Sequence, residues 1–420
     1  MRRLPALLLA ASCAVAAPPA AAQDLETAIA AALAHSPVLD EADAGAAAAA
    51  ARLRQAQAER NPLLRVEGSA GLGRIDNRGF FGIAADDVTP LSVQALAEMP
   101  LFTGGRLSSA LAQAGAGRDA ARYGQDQARL EVAVAAVGAY AEVRTSRRLV
   151  GSFRQLVVAL AETERQAGLR FEAGEIASSD LAQARARRAE AEAGLAQVQG
   201  RLASAEAAFE RLTGEAPGSL EPPAALPSLP ASLGEALELA RATNPMLLQA
   251  QAGTRAAEAG VAAARAEGMP QLGVFTEASH VADQFFPGYR ANSVSAGVRG
   301  RWTLFSGGRT GAAVAVSQAE ADAADARLQQ ARLAVDGAVI DAWQAMTAAG
   351  RMVEASRLGQ AAAAEALRGR RLEAQVGAVP TLAVLDAERE AMAAEAALAE
   401  AEGLHLVAAW RLRALTGAID

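Results

Sequence analysis

Two periods of hydrophobic and polar residues run along this chain. In four short stretches the period is two. Leu64, Val66, Gly68, Ala70 and Leu72 alternate with Arg65, Glu67, Ser69, Gly71 and Gly73. Leu91, Val93, Ala95, Ala97, Met99 and Leu101 alternate with Ser92, Gln94, Leu96, Glu98 and Pro100. Val294, Ala296, Val298, Gly300, Trp302 and Leu304 alternate in the same way with Ser293, Ser295, Gly297, Arg299, Arg301 and Thr303, and Leu272 to His280 forms a fourth stretch with a looser pattern. Such alternation predicts strands with one wet and one greasy face, over 63–73, 90–102, 271–281 and 292–305. The rest is rich in Ala, Leu, Glu, Gln and Arg and reads as helix: Asp24 to Arg60, broken near Pro37, then Gly105 to Arg170, then Ser178 to Leu212. The middle segment would be about 100 Å long at about 1.5 Å per residue, so it needs partners along its length.

The whole pattern occurs twice. Leu25, Pro37 and Pro62 return as Leu233, Pro245 and Pro270, each 208 positions later. Leu101-Phe102-Thr103-Gly104-Gly105-Arg106 returns as Leu304-Phe305-Ser306-Gly307-Gly308-Arg309, and Leu212-Thr213-Gly214 as Leu415-Thr416-Gly417, now 203 positions later. The second copy is therefore shorter by five residues, lost between Pro62 and Leu101. The expected organisation is a leader at 1–22, a first repeat at 23–214, a proline-rich linker at 215–232 and a second repeat at 233–420.

Composition narrows the compartment. Met1-Arg2-Arg3, the apolar run Leu4 to Val15 and Ala20-Ala21-Ala22 read as a secretory signal peptide. Ala10-Ala11-Ser12-Cys13 also resembles a lipoprotein cleavage box, without the usual Leu three residues before the Cys. Cys13 is the sole cysteine, so the mature chain has no disulfide. The net charge of −7 becomes about −9 once the leader arginines are gone, a balance that does not suit nucleic acid. No stretch is long and apolar enough for a membrane helix. Nine of the sixteen aromatics fall in 63–106 and 271–309, the enrichment that interfacial girdles produce; a soluble β-sandwich edge is the alternative. His35, His280 and His405 are far apart, and no metal set, nucleophile–base pair, phosphate loop or cofactor motif appears.

Four strands leave two open edges, which lipid does not tolerate. Three chains would supply twelve strands and close a barrel, which argues for a homotrimer.

At this point the chain resembles the TolC-like outer-membrane efflux proteins over essentially all of its mature length. The resemblance is carried by the duplication, the helix–Pro–strand–strand–long helix order, the Phe-(Thr/Ser)-Gly-Gly-Arg return, and the helix-hairpin tips. The family's tip has a glycine, polar or acidic positions six and nine residues on, then Ala; here these are Gly377, Ala383, Asp386 and Ala387, and Gly174, Asp180, Gln183 and Ala184. The resemblance implies a mainly α channel-tunnel with a trimeric 12-stranded membrane β-barrel continuous with a long α-helical barrel, in the outer membrane of a Gram-negative bacterium and reaching into the periplasm. It implies a passive exit duct of a tripartite efflux or type I secretion system, whose partners are a periplasmic adaptor and an inner-membrane pump. It also implies an equatorial belt built from the inter-repeat segment.

By the same resemblance, Asp386, Asp180 and Gln183 are expected at a periplasmic gate. Ala383 stands at a second acidic position and Val379 where an Arg can clamp, so the electrostatic lock is expected to be thin. Gly174, Glu175, Ile176, Gly377, Val379, Pro380 and Thr381 are expected to meet the adaptor, with Ile176, Val379 and Pro380 exposed. Arg65, Glu67, Glu98, Arg299 and Arg301 are expected to line the barrel lumen. A competing reading is a periplasmic coiled-coil adaptor or envelope scaffold without a pore. A diffusion porin would need more strands and less helix. Drug, metal-ion and protein export are not separable from this sequence.

Overall fold

The structure is a computed structural model in which residues 23–75, 86–223 and 225–417 are described, Thr381 by its backbone only. The expected leader with Cys13 and, within 63–106, the aromatics Phe80 and Phe81 lie outside the described residues. The chain forms two compact units: residues up to 36 with 131–229 and 342–414, and residues 37–130 with 230–341 and 415 onward. Both units draw on both repeats.

The first unit holds α1 (Leu25–His35), the second half of α3 (Arg106–Glu172), α4 (Ser178–Thr213), the second half of α7 (Arg309–Gln375) and most of α8 (Thr381–Leu415). Its core is small-residue packing. Ala133, Ala136, Val137, Tyr140 and Val143 are fully buried along one stripe of α3, spaced by three and four residues. Leu156 and Leu160 of α3 meet Ala191 of α4 and Leu385 of α8. At Gly194 an added Cβ would lie 2.4 Å from the Phe153 ring, so that ring fills the space a side chain would occupy. The inter-repeat segment is stitched to Gln23 and to α3. Gln23 N–H donates to Ser219 C=O at 2.8 Å and Glu221 N–H to Gln23 C=O at 3.2 Å. The buried Tyr140 hydroxyl donates to Glu221 C=O at 2.6 Å, and Arg147 donates to Pro217 C=O at 2.8 Å.

The second unit holds α2 (Pro37–Ala58), six strands, α5 (Leu233–Thr243), α6 (Pro245–Ala266) and the first halves of α3 and α7. Asn244 caps α6, its side chain accepting from Met246 N–H at 3.1 Å, with Pro245 in the first turn. The strands are β1 (Leu63–Ala70), β2 (Gly73–Ile75), β3 (Asp86–Val88), β4 (Leu91–Phe102), β5 (Gln271–Ala282) and β6 (Arg290–Arg301). One antiparallel sheet has the order β1-β4-β5-β6; β2 and β3 form a separate short ladder. The first expected strand, 63–73, thus breaks after Ala70. The last, 292–305, starts two residues earlier and stops at Arg301. Arg301 pairs with Gln271, the first residue of β5, so nothing remains for Trp302 to Phe305 to pair with. Phe102 does find Leu272, across a register shift after Pro100.

The Gly-Gly of the strand-to-helix return is a backbone requirement. Gly104, Gly105, Gly307 and Gly308 all have positive φ, between 60° and 95°. A Cβ on Gly104 would fall 2.2 Å from the Met269 Cβ.

Candidate functional site

Register decides which side chains share a face of the sheet. Glu98 stands opposite Leu63 and Phe275, Phe275 opposite Gly297, Gly273 opposite Arg299, and Gln271 opposite Arg301. With side chains alternating along each strand, Arg65, Glu67, Glu98, Arg299 and Arg301 all fall on one face. Gln94, Glu277 and four serines join them, with Gln94 donating to Glu277 at 2.9 Å and the pairs Ser69–Ser92 and Ser279–Ser293 each at 2.8 Å. Arg299 lies over the Phe275 ring at 4.4 Å. On β5 this polar side is the sheltered one, with Gln271, Phe275, Glu277 and Ser279 half-buried and Leu272, Thr276, Ala278 and His280 exposed.

The other face carries Leu64, Val66, Val93, Ala95, Ala97, Val274, Ala278, Val294, Ala296 and Val298. Its outer strands are bare, with Leu64 on β1 69% exposed and Val294 on β6 81%, while Ala95, Ala97 and Val274 on the central strands are half-buried. A soluble sandwich would bury this face under a second sheet, and among the described residues nothing covers it. Its two ends are marked by aromatics. Phe102, Trp302 and Phe305 are exposed at the helix end. Phe285 and Phe286 meet Tyr289 edge-on at the hairpin end, with centroids 5.1 and 5.2 Å apart. A strand of 12 residues, as in β5 and β6, suits a tilted membrane crossing. No described helix is long and apolar enough to cross a membrane.

The two helical tips close with the same geometry. Gly174 (φ 75°) donates to Phe171 C=O at 2.9 Å while Glu175 donates to Arg170 C=O at 2.8 Å. Gly377 (φ 77°) donates to Ala374 C=O at 3.1 Å while Ala378 donates to Glu373 C=O at 2.9 Å. Both are Schellman ends, which only glycine terminates without strain. Glu175 also pairs with Arg170 at 3.2 Å. Two expected exposures are corrected. Ile176 folds back onto Ala167, Leu181 and Ala184 and is half-buried, because the turn brings it over the groove between α3 and α4. Val379 is half-buried as well, and only Pro380 of the three is exposed. Other exposed apolar groups near the tips, which the sequence pattern did not single out, include Val376 at 81%, Leu372 at 64% and Leu169 at 54%. Thr381 begins α8.

Asp180 and Gln183 are exposed in the first turns of α4, where the helix dipole favours a carboxylate. Asp386 is exposed on α8, and the Arg187 guanidinium lies 3.7 Å from its carboxylate. Asp180, Gln183 and Arg187 follow a three-and-four spacing, so they share one face of α4. Neither Asp180 nor Gln183 bonds to Asp386 among the described residues. Arg187 belongs to the first repeat and Asp386 to the second, so this contact joins the two. Two residues on, Glu388 is buried and accepts from Arg371 of α7 at 3.0 Å. Higher up, Arg201 of α4 joins Glu142 of α3 at 2.6 Å and Glu400 of α8 at 3.0 Å, and its hydrogen bond holds the Glu142 carboxyl below its usual range.

The profile of the outer membrane efflux protein family matches residues 28–215 and 236–418, covering both repeats. The chain belongs to that family. It is 32% identical over 292 residues to the outer membrane efflux protein BepC of Brucella suis, a match covering 67% of this chain and 62% of the relative, which is less than two thirds of it. It is 31% identical over 338 residues to protein CyaE of Bordetella pertussis, covering 77% of this chain and 69% of CyaE. Among solved structures, the Campylobacter jejuni CmeC outer membrane channel superposes with a TM-score of 0.84 at 15% identity, covering 94% of this chain and 85% of that one. The outer membrane protein VceC of Vibrio cholerae gives 0.80 at 22%, covering 94% and 96%. At these identities the likeness is one of fold. Family membership favours the channel reading over the adaptor or scaffold alternative.

Proposed function

We propose that this chain is the outer-membrane component of an export system: a homotrimeric channel-tunnel that is passive and acts as the exit duct for an inner-membrane pump. The observation that carries the reading is the sheet, with one polar face, one apolar face that is bare on its outer strands between aromatic rims, and two open edges at β1 and β6. A bare apolar face needs lipid, and open edges in lipid need further strands. Two more copies meet both needs at once. The polar face, with Arg65, Glu67, Glu98, Arg299 and Arg301, then lines the pore.

The helical tips are the docking end for a periplasmic adaptor, with Gly174, Glu175, Gly377, Pro380 and Thr381 at the turns and Val376 and Leu372 adding apolar surface. Asp386, Asp180 and Gln183 narrow the entrance, and Arg187 tethers Asp386 to the first repeat. The export partner is of the tripartite efflux or type I secretion kind, in keeping with the name of the relative BepC, an outer membrane efflux protein. The test is planar-bilayer conductance of the purified protein with its mass recorded in detergent. Stable channels from a trimer are the expected result; a folded, non-conducting monomer would remove the reading.

A further inference from the structure

On the polar face, where strands give way to helices, lies a cavity of about 560 Å³ whose wall includes Glu98, Gly273, Phe275, Arg299 and Arg301. Its size is that of small-molecule sites, roughly 300–1,000 Å³. Phe275 forms a shelf in it. Its ring lies across Gly297, where an added Cβ would meet the ring at 3.4 Å, and carries the Arg299 guanidinium at 4.4 Å. That stacking fixes Arg299, whose donor edge makes no ion pair or hydrogen bond among the described residues. Arg106, also in the wall, is neutralised by Glu59 at 3.4 Å. Glu98 and Arg301 make no ion pair or hydrogen bond among the described residues.

The uncompensated charges are therefore two cations at one end and one carboxylate at the other, with an aromatic shelf between them. Glu98 is level with Gly297 across β5, and Arg299 and Arg301 lie two and four residues farther along β6. At about 4.8 Å per strand and about 3.4 Å per residue, their Cα atoms are roughly 12 and 17 Å from that of Glu98. A simple organic anion would engage the arginines and be repelled by Glu98. A simple cation would meet the reverse.

We propose that this alcove is a resting site for zwitterionic organic molecules in transit. The carboxylate sits between Arg299 and Arg301, the ammonium at Glu98, and the apolar body on Phe275. The inference rests on the reading of the polar face as a pore wall.

Ampicillin and benzylpenicillin test it, since they differ by one primary amine. Both are added to single channels of the intact protein in planar bilayers and, in parallel, to the detergent-solubilised protein in a calorimeter. Ampicillin is expected to reside about fivefold longer, the upper end of what one solvent-exposed ion pair contributes. Glu98→Gln should erase that preference, and Arg301→Gln should shorten residence of both drugs, with unitary conductance reporting that the variants are folded. Equal blockade by the two drugs, or wild-type blockade in both variants, would overturn the alcove while leaving the duct intact. Absence of conductance would count against the duct itself. Calorimetry would still decide the alcove: an ampicillin preference lost in Glu98→Gln supports it, and no preference overturns it.

Discussion

Arg187 of α4 holds its guanidinium 3.7 Å from the carboxylate of Asp386 on α8, joining the two repeats a few turns above the tips. Arg187 also reaches Glu190 at 3.0 Å, so it is shared between two carboxylates. Asp386 is half exposed, and an ion pair so open to water contributes less than about 1 kcal/mol. Its importance, if it holds the entrance, is positional. Arg187→Ala and Asp386→Ala should each leave thermal stability almost unchanged while raising single-channel conductance or sensitising cells to large antibiotics. Unchanged conductance in both variants would show that this pair does not hold the entrance.

Neighbouring residues on β6 separate the two faces of the sheet. Val294 is 81% exposed on the apolar face, and Ser295 points to the polar one. Val294→Arg should cost about 2–4 kcal/mol if the residue meets the bilayer midplane, and should abolish insertion into lipid vesicles. Ser295→Arg should insert normally and shift ion selectivity toward anions. Equal insertion of both variants would mean that the face of Val294 does not contact lipid.

The sheet was readable because period-two alternation is local: each strand announces its own faces, and the repeat supplies the second pair. Helix ends were readable from Pro37, Pro245, Gly174 and Gly377, whose backbone preferences act within a residue or two. What escaped depends on partners distant in sequence. Arg187 and Asp386 are 199 positions apart, and nothing in either segment alone says that they meet. The burial of Ile176 depends on Ala167 and Leu181 lying side by side. The end of β6 is set by where β5 begins, not by the alternation, which runs on to Leu304.

Acid should loosen the first unit in two stages. Burial holds the His405 imidazole below its ordinary value of 6.5, and the Arg201 hydrogen bond holds the Glu142 carboxyl below 4.5. In each case the unfolded chain binds the proton more readily than the folded one. Each contribution is therefore fully present above the ordinary value and lost as pH falls from that value through the folded one. Helical melting followed by circular dichroism should show a decline beginning near 6.5 that His405→Gln removes, and a further decline below 4.5 that Glu142→Gln removes. A wild-type profile in both variants would assign acid sensitivity elsewhere.

Gly194 tests how tightly the small-residue core is packed. The Phe153 ring stands 2.4 Å from where a Cβ would be, so the ring must rotate away or the helices must part. Gly194→Ala gains helix propensity of about 1 kcal/mol, and the overpacking costs about 1–3 kcal/mol. A net loss in thermal stability is expected. Phe153→Leu in the same background should recover most of it. A stabilised Gly194→Ala protein would mean that the ring moves aside freely.

The tips offer the last test, because their apolar exposure is confined to a few residues. Val376 is 81% exposed just past the end of α7, one residue before the turn glycine, and Leu372, in the last turn of α7, is 64% exposed. Burying them against an adaptor hairpin would remove apolar surface from water at about 25 cal/mol per Å². Among the described residues nothing packs over that surface. Val376→Asp and Leu372→Asp should therefore leave folding and channel conductance unchanged and weaken crosslinking to the cognate adaptor, with loss of export in cells. The half-buried Ile176 should behave differently, since Ile176→Asp disturbs the cluster with Ala167, Leu181 and Ala184 and lowers stability first. If Val376→Asp and Leu372→Asp crosslink and export as well as the parent, the adaptor does not use this face of the tip.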